Sequence, residues 1–205
     1  FVGRFSKNLG EQSDAGLLWT KGNPQGGEGS TLGADFNYRT DSFLGDRNLR
    51  LSTYGLTAEN GADSDEAYYV SASYPNDIVE LSLSYTQIGN DFDPALGFVQ
   101  RYGIKKYSGG FDYSPRPRTN IRQLRFGFHP TVYTDLEGNT ESESLHATLL
   151  DIEWESGDSI DFDVKQYRDV LTEEPWTIQD GVEIPIGDYE YLRWGVEYET
   201  SSKRP

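Results

Sequence analysis

The chain of 205 residues contains no cysteine and only two histidines. Without cysteine, disulfide bonds, thiolate catalysis and cysteine-based zinc sites are excluded. Two histidines are too few for a histidine-rich metal centre. Basic residues are also scarce, because 18 Lys and Arg stand against 34 Asp and Glu, for a net charge of −16. Such a charge repels a phosphate backbone, so we expect no nucleic-acid partner.

Long apolar runs are missing as well. No run approaches the roughly 18 residues that a membrane-spanning helix needs. Hydrophobic residues make up only 35% of the chain, which leaves little material for a thick apolar core. The 4 Trp, 14 Tyr and 10 Phe are nevertheless too many for a disordered acidic chain. The sequence therefore indicates a folded protein with a thin core.

Alternation of apolar and polar residues dominates the chain, and helical periodicity is nearly absent. It is clearest in residues 79–86, 31–39, 68–74, 124–128 and 192–198. Successive side chains of a strand point to opposite faces, so each segment has one apolar and one polar side. About eleven such segments follow one another. We predict an all-β fold, an antiparallel up-and-down meander.

The alternation changes phase at two places. Around Leu149 and Leu150 the apolar set moves from odd to even positions, and after Val164 it resumes at Tyr167. One extra residue in a strand produces such a change. We predict a β-bulge at each place.

The connections between the segments alternate between compact and extended. The extended ones are Lys21–Ser30, Glu59–Glu66, Ile88–Gly103, Asp135–Glu143 and Asp169–Asp188. Short turns at one end and long loops at the other are typical of outer-membrane β-barrels. Residues 1–205 are therefore interpreted as a single β-barrel segment, an excerpt of a longer protein.

The alternative is a β-sandwich, whose strands show the same alternation because one face packs inside and the other meets water. The surroundings of the apolar face distinguish the two architectures. The residues to inspect are Leu81, Leu83, Phe126, Phe128 and Trp194.

The segment Asp91–Arg101, with the sequence DFDPALGFVQR, resembles a bacterial domain-of-unknown-function family numbered 5916. Phe1–Arg4, Gly33–Asn37 and Pro115–Pro117 are similar to it too. The resemblance implies the C-terminal β-barrel region of such a protein, which typically follows a module similar to family-9 carbohydrate-binding domains. It also implies a Gram-negative cell envelope and a link to glycans. It implies no catalytic residues.

The same segment supplies the main candidate binding residues. Asp91 and Asp93 place two carboxylates in one long loop, and hard oxygen ligands of this kind suit Ca²⁺. Their spacing does not match an EF-hand. The alternative is a loop packed into the barrel lumen, with Phe92 and Phe98 as anchors. No cofactor other than this Ca²⁺ is expected.

Four further residues are candidates for chemistry or binding. Glu153 and Glu155 lie two positions apart on one predicted strand, and a carboxylate pair can hydrolyse glycosides. The more ordinary interpretation is a solvated polar face. Arg101 could bind a ligand or pair with lumen acids, and Trp176 could stack on a sugar or pack its loop.

These observations predict a non-catalytic segment of an outer-membrane envelope protein that is linked to glycan binding or uptake. Its partners would be the lipid bilayer or lipopolysaccharide, together with carbohydrate. The alternative is a soluble periplasmic β-sandwich, either a glycoside hydrolase or a carbohydrate-binding domain.

Overall fold

The computed structural model describes residues 1–22, 29–61, 63–117, 119–172 and 175–201. In these ranges the chain consists of strands and their connections, with no helix. The strands are β1 Val2–Leu9, β2 Ser13–Lys21, β3 Gly29–Phe43, β4 Arg47–Asn60, β5 Asp63–Pro75, β6 Val79–Ile88, β7 Ile104–Tyr113, β8 Ile121–Asp135, β9 Thr140–Trp154, β10 Ser159–Leu171, β11 Trp176–Gln179, β12 Val182–Ile184 and β13 Gly187–Glu199.

Eleven of these strands form one sheet in the order β1 to β10 followed by β13. Each strand therefore lies beside its neighbour in sequence, and β13 follows β10 because β11 and β12 form a separate hairpin between them. The pairings that the structure describes are all antiparallel. The predicted all-β, up-and-down meander is confirmed. The small hairpin was not predicted.

The chain divides into two compact units. The first comprises Phe1–Asn76, Ser82–Tyr107 and Asp135–Gly138. The second comprises Asp77–Leu81, Ser108–Thr134 and Asn139–Pro205.

The predicted bulge in β9 is confirmed. Phe162 of β10 pairs with Leu150 and Asp163 pairs with Thr148, so Leu149 is the extra residue. The bulge re-phases the strand, which keeps the apolar side chains on one face before and after it.

The second predicted bulge, after Val164, is wrong. β10 pairs without a shift against β13 from Ser159 to Leu171. Tyr167 instead lies on the polar face, where its ring stacks on Tyr191 with centroids 4.9 Å apart. An aromatic residue on the polar face looks, in the sequence, like a change of phase.

Two of the predicted long loops are short connections. Asn60 pairs directly with Asp63, so β4 and β5 continue into the acidic segment that was expected to be a loop. Likewise β8 ends at Asp135 and β9 begins at Thr140. The segments Ile88–Gly103 and Asp169–Asp188 do contain long connections, and Lys21–Ser30 lies largely outside the described residues.

The apolar core is thin, as the composition predicts. Among the described residues the buried hydrophobic side chains are Ala58, Ala67, Phe92, Ala95 and Ile104. All five belong to the first unit, and three of them, Ala58, Ala67 and Phe92, form one cluster.

Candidate functional site

The apolar face of the sheet is exposed. Leu83 in the first unit is 69% exposed and Trp194 in the second is 77% exposed, and Leu81 and Phe128 are exposed too. Phe126 is half-buried and lies beside Tyr113. A sheet face with its large apolar side chains exposed lacks the cover that a sandwich core would give.

The connection between β6 and β7, residues 89–103, holds the predicted loop residues Asp91, Asp93 and Arg101. The loop folds back onto the polar face of β3, β4 and β5. Phe92 is 3% exposed and packs against Ala58 and Ala67. The expectation that Phe92 anchors the loop is therefore confirmed. Phe98 is 86% exposed, so the same expectation for Phe98 is wrong.

Three hydrogen bonds hold the first half of this loop. The Asp91 amide donates to Asp65 Oδ2 at 2.9 Å, and the Ala95 amide donates to Thr31 Oγ1 at 3.0 Å. Asn60 Nδ2 donates to Asp93 Oδ2 at 2.6 Å. Each partner lies on a different strand of the first unit, so the loop is fixed by β3, β4 and β5 together.

The carboxylates of the loop do not form a metal cage. In the described part of the chain, no three His, Asp or Glu side chains are grouped so that they could hold a metal ion. One oxygen of Asp93 already accepts a hydrogen bond from Asn60. A Ca²⁺ site needs six to eight oxygen ligands, so Asp91 and Asp93 would require many additional donors. Arg101 lies in the same loop and is exposed.

The polar face of the first unit carries paired charges. Arg4 bridges β1 to β3 through Asp35, with Nη1 to Oδ2 at 2.8 Å and Nη2 to Oδ1 at 3.0 Å. Arg39 reaches Asp14 at 2.9 Å, and Asn37 donates to the other oxygen of Asp14 at 3.0 Å. These acids and bases are therefore held as cross-strand pairs.

The polar face of the second unit also carries acids and bases that are paired across strands. Arg125 lies 3.2 Å from Asp151, and His129 Nε2 lies 2.9 Å from Asp112 Oδ2. Arg168 contacts Asp188 at 2.7 Å and Glu143 at 3.5 Å. These pairs join neighbouring strands.

Glu153 and Glu155, the predicted carboxylate pair, lie at the end of β9 and just after it. Both contact Arg122: Glu153 accepts a hydrogen bond from Nη1, and Glu155 lies 3.7 Å from Nε. All three side chains are well exposed. One guanidinium shared by two carboxylates is the pattern of a structural ion pair.

Trp176 begins the β11–β12 hairpin and is 60% exposed. It pairs with Ile184, and Ile178 and Val182 are exposed nearby on the same hairpin. The tryptophan is thus presented at the surface of the loop rather than packed beneath it. This position is compatible with the predicted stacking role and does not test it.

Two tyrosines that the sequence analysis did not select lie on the polar face of the first unit. Tyr54 and Tyr69 stack with centroids 5.1 Å apart and planes inclined by 19°. In the sequence, Tyr69 stands between Tyr68 and Val70, which occupy apolar positions of β5. An aromatic residue at a position where the alternation predicts a polar one is the signal for this pair.

No family model, curated protein or solved structure matches this chain. The resemblance to family 5916 remains a prediction. The described residues also include no helix that is long and apolar enough to cross a membrane.

Proposed function

We propose that the chain forms part of the wall of an outer-membrane β-barrel. In this proposal the apolar face contacts the lipid bilayer or lipopolysaccharide, and the polar face lines an aqueous interior. The role is non-catalytic and serves glycan binding or uptake at the bacterial envelope. A periplasmic location, with the chain as a soluble sandwich, is the alternative.

The observation that carries this proposal is the exposure of the apolar face in both units. Leu83 and Trp194 are large, apolar and mostly accessible at mid-strand positions, and aromatic and aliphatic neighbours continue the face. Contact of so much apolar surface with water is unfavourable, whereas contact with the hydrocarbon tails of lipids is favourable. The opposite face carries cross-strand ion pairs, and the interior of an outer-membrane barrel is polar.

The paired Glu153 and Glu155 add no support for the enzymatic alternative. Both carboxylates contact the Arg122 guanidinium at an exposed strand end, which is the arrangement of a surface ion pair. We therefore propose binding and passage rather than catalysis.

Quenching of single tryptophans by lipid tests the bilayer contact. A variant that retains only Trp194 carries Trp19→Phe, Trp154→Phe and Trp176→Phe, and a control variant retains only Trp176. Both are folded into phosphatidylcholine vesicles with brominated acyl chains. We expect strong quenching of Trp194, because it lies on the apolar face, and weak quenching of Trp176 in its loop hairpin. Equal, weak quenching of the two would refute the bilayer contact.

A further inference from the structure

A cleft of about 500 Å³ lies on the polar face of β1 to β5, entirely within the first unit. Pockets that hold small ligands usually measure about 300–1,000 Å³, so the cleft has the size of a ligand site. It is distinct from the loop residues Asp91 and Asp93 and from the Arg122 cluster.

Strand register builds the cleft from three rows of side chains. Residues that pair directly across antiparallel strands point to the same face, and the next row lies two positions along each strand. The rows are Asn37, Ser52 and Ser71; then Asp35, Tyr54 and Tyr69; then Arg4, Leu18, Gly33 and Leu56. Asp14 and Gly16 of β2 continue the first two rows beside the cleft. The middle row places a carboxylate beside a stacked aromatic pair.

Two glycines make room for this arrangement. A Cβ at Gly16 would lie 2.5 Å from Asp35 Oδ2 and 2.6 Å from Arg4 Nη2, and a Cβ at Gly33 would clash with the Leu56 side chain. The missing side chains let the Arg4–Asp35 pair and Leu56 extend over β2 and β3.

The chemistry of the cleft suits a polyhydroxylated ligand. The Arg4–Asp35 pair presents a donor and an acceptor side by side, and a sugar hydroxyl both donates and accepts. The amide nitrogen of Asn37 donates to Asp14 and Asp35, so Asn37 offers its carbonyl oxygen as an acceptor, and Ser52 on the neighbouring strand adds a hydroxyl group. The Tyr54–Tyr69 stack adds a flat aromatic surface, which packs against the apolar face of a pyranose ring.

The charges of the cleft point to a neutral ligand. Arg4 and Asp35 are the charged side chains that line it, and they neutralise each other through two contacts. An anionic or cationic ligand would meet a counter-charge that is already paired, so its electrostatic attraction to the cleft is reduced. A neutral ligand can hydrogen-bond to both partners while the pair stays intact.

We propose that this cleft is a binding site for a neutral oligosaccharide, with Arg4, Asp35 and Asn37 as its hydrogen-bonding residues and Tyr54 and Tyr69 as its stacking surface. The proposal rests on the proposed function, since it names the ligand of the polar face. It adds that binding takes place in this one cleft of the first unit.

Calorimetric titration of the detergent-solubilised protein tests the site. The probes are maltotriose, cellotriose and triacetylchitotriose, with trigalacturonate as the charged comparison. We expect saturable binding of at least one neutral trisaccharide and weaker binding of trigalacturonate. Binding of none of the neutral probes, or tighter binding of trigalacturonate, would overturn the proposal.

Three variants locate the binding. Asp35→Asn removes a charged acceptor and Tyr69→Ala removes half of the stack. Gly16→Ala displaces the Arg4–Asp35 pair without changing any charge, and the displaced atoms are the ends of flexible side chains, so we expect the fold to tolerate it. We expect each variant to weaken binding about tenfold or more. Asp35→Asn and Gly16→Ala remove or misplace a charge-assisted hydrogen bond, and Tyr69→Ala removes a stacking contact. Tyr107→Ala is the control.

Tyr107 is suited to this control because it pairs with Tyr85, which shares the apolar face with Leu83. The Tyr107→Ala variant removes one ring of a tyrosine pair that lies outside the cleft. An equal loss of affinity in Tyr107→Ala, or no loss in the three cleft variants, would refute the assignment. Circular dichroism of each variant tests whether it is folded.

The two proposals can fail separately. Saccharide binding without lipid quenching of Trp194 would leave the cleft assignment standing and remove the bilayer contact. Quenching of Trp194 without saccharide binding would support the bilayer contact and remove the cleft assignment.

Discussion

Replacing Phe92 by alanine should release the loop 89–103 from the sheet. Phe92 is 3% exposed, and its nearest buried neighbours, Ala58 and Ala67, are small residues on β4 and β5. Their short side chains cannot extend into the space that the ring leaves. The truncation therefore loses the burial of the ring and also leaves a cavity.

The size of the effect follows from this burial. A Phe→Ala change at a packed site costs about 3–5 kcal/mol, and a loop that can relax should fall at the lower end. A cost of about 3 kcal/mol raises the equilibrium constant for loop opening roughly a hundredfold. Phe98→Ala is the matched control, because the same residue type in the same loop is 86% exposed. A change at such a surface position should stay within about 0.5 kcal/mol.

Hydrogen exchange of individual amides measures the opening. The amides of Asp91 and Ala95 donate to Asp65 and Thr31, which belong to β5 and β3, so these bonds break when the loop leaves the sheet. We expect both amides to exchange about a hundred times faster in Phe92→Ala. Equal exchange rates in Phe92→Ala and Phe98→Ala would refute the account of the loop anchor.

Two further predictions concern the strands and a turn. Asp158→Ala should lower the free energy of unfolding, measured by urea denaturation, by about 1–3 kcal/mol. The reason is that the buried backbone amide of Ser201 donates to Asp158 Oδ1 at 3.0 Å and loses this acceptor. An unchanged urea midpoint would contradict the prediction. Leu83→Arg should destabilise the protein in phosphatidylcholine vesicles by about 2–4 kcal/mol, the cost of a cation on a lipid-facing position. Ser84→Arg, on the opposite face of β6, is its control, and equal losses would contradict the assignment of the faces.

Much of the sheet can be predicted from the sequence because a strand with one polar and one apolar face has a period of two. The bulge at Leu149 was predictable for the same reason, since an extra residue shifts that period. Tyr167 shows the limit of this reasoning. A tyrosine can occupy either face, so its position changes the apparent phase although the pairing of β10 is regular.

Loop lengths were harder to predict than strands. Residues 59–66 are acidic and contain glycine, yet Asn60 pairs with Asp63 and the strands continue almost to the turn. Polar strand ends carry no apolar alternation, so composition cannot distinguish them from a loop. The ion pairs of the polar face were out of reach for a related reason, because pairs such as Arg4 with Asp35 depend on the register of strands that are distant in sequence.

The loop and the cleft meet at one residue. Leu56 lines the cleft, and it also packs against the cluster of Ala58, Ala67 and Phe92 that anchors the loop. The Leu56 side chain, which lies over Gly33, therefore contacts both the docked loop and the cleft. If the Phe92→Ala variant weakens saccharide binding while Phe98→Ala does not, the docked loop sets the position of the Leu56 wall. If both variants bind saccharide as the unmodified protein does, the cleft is held by β1 to β5 alone, as the pairing of the three rows implies.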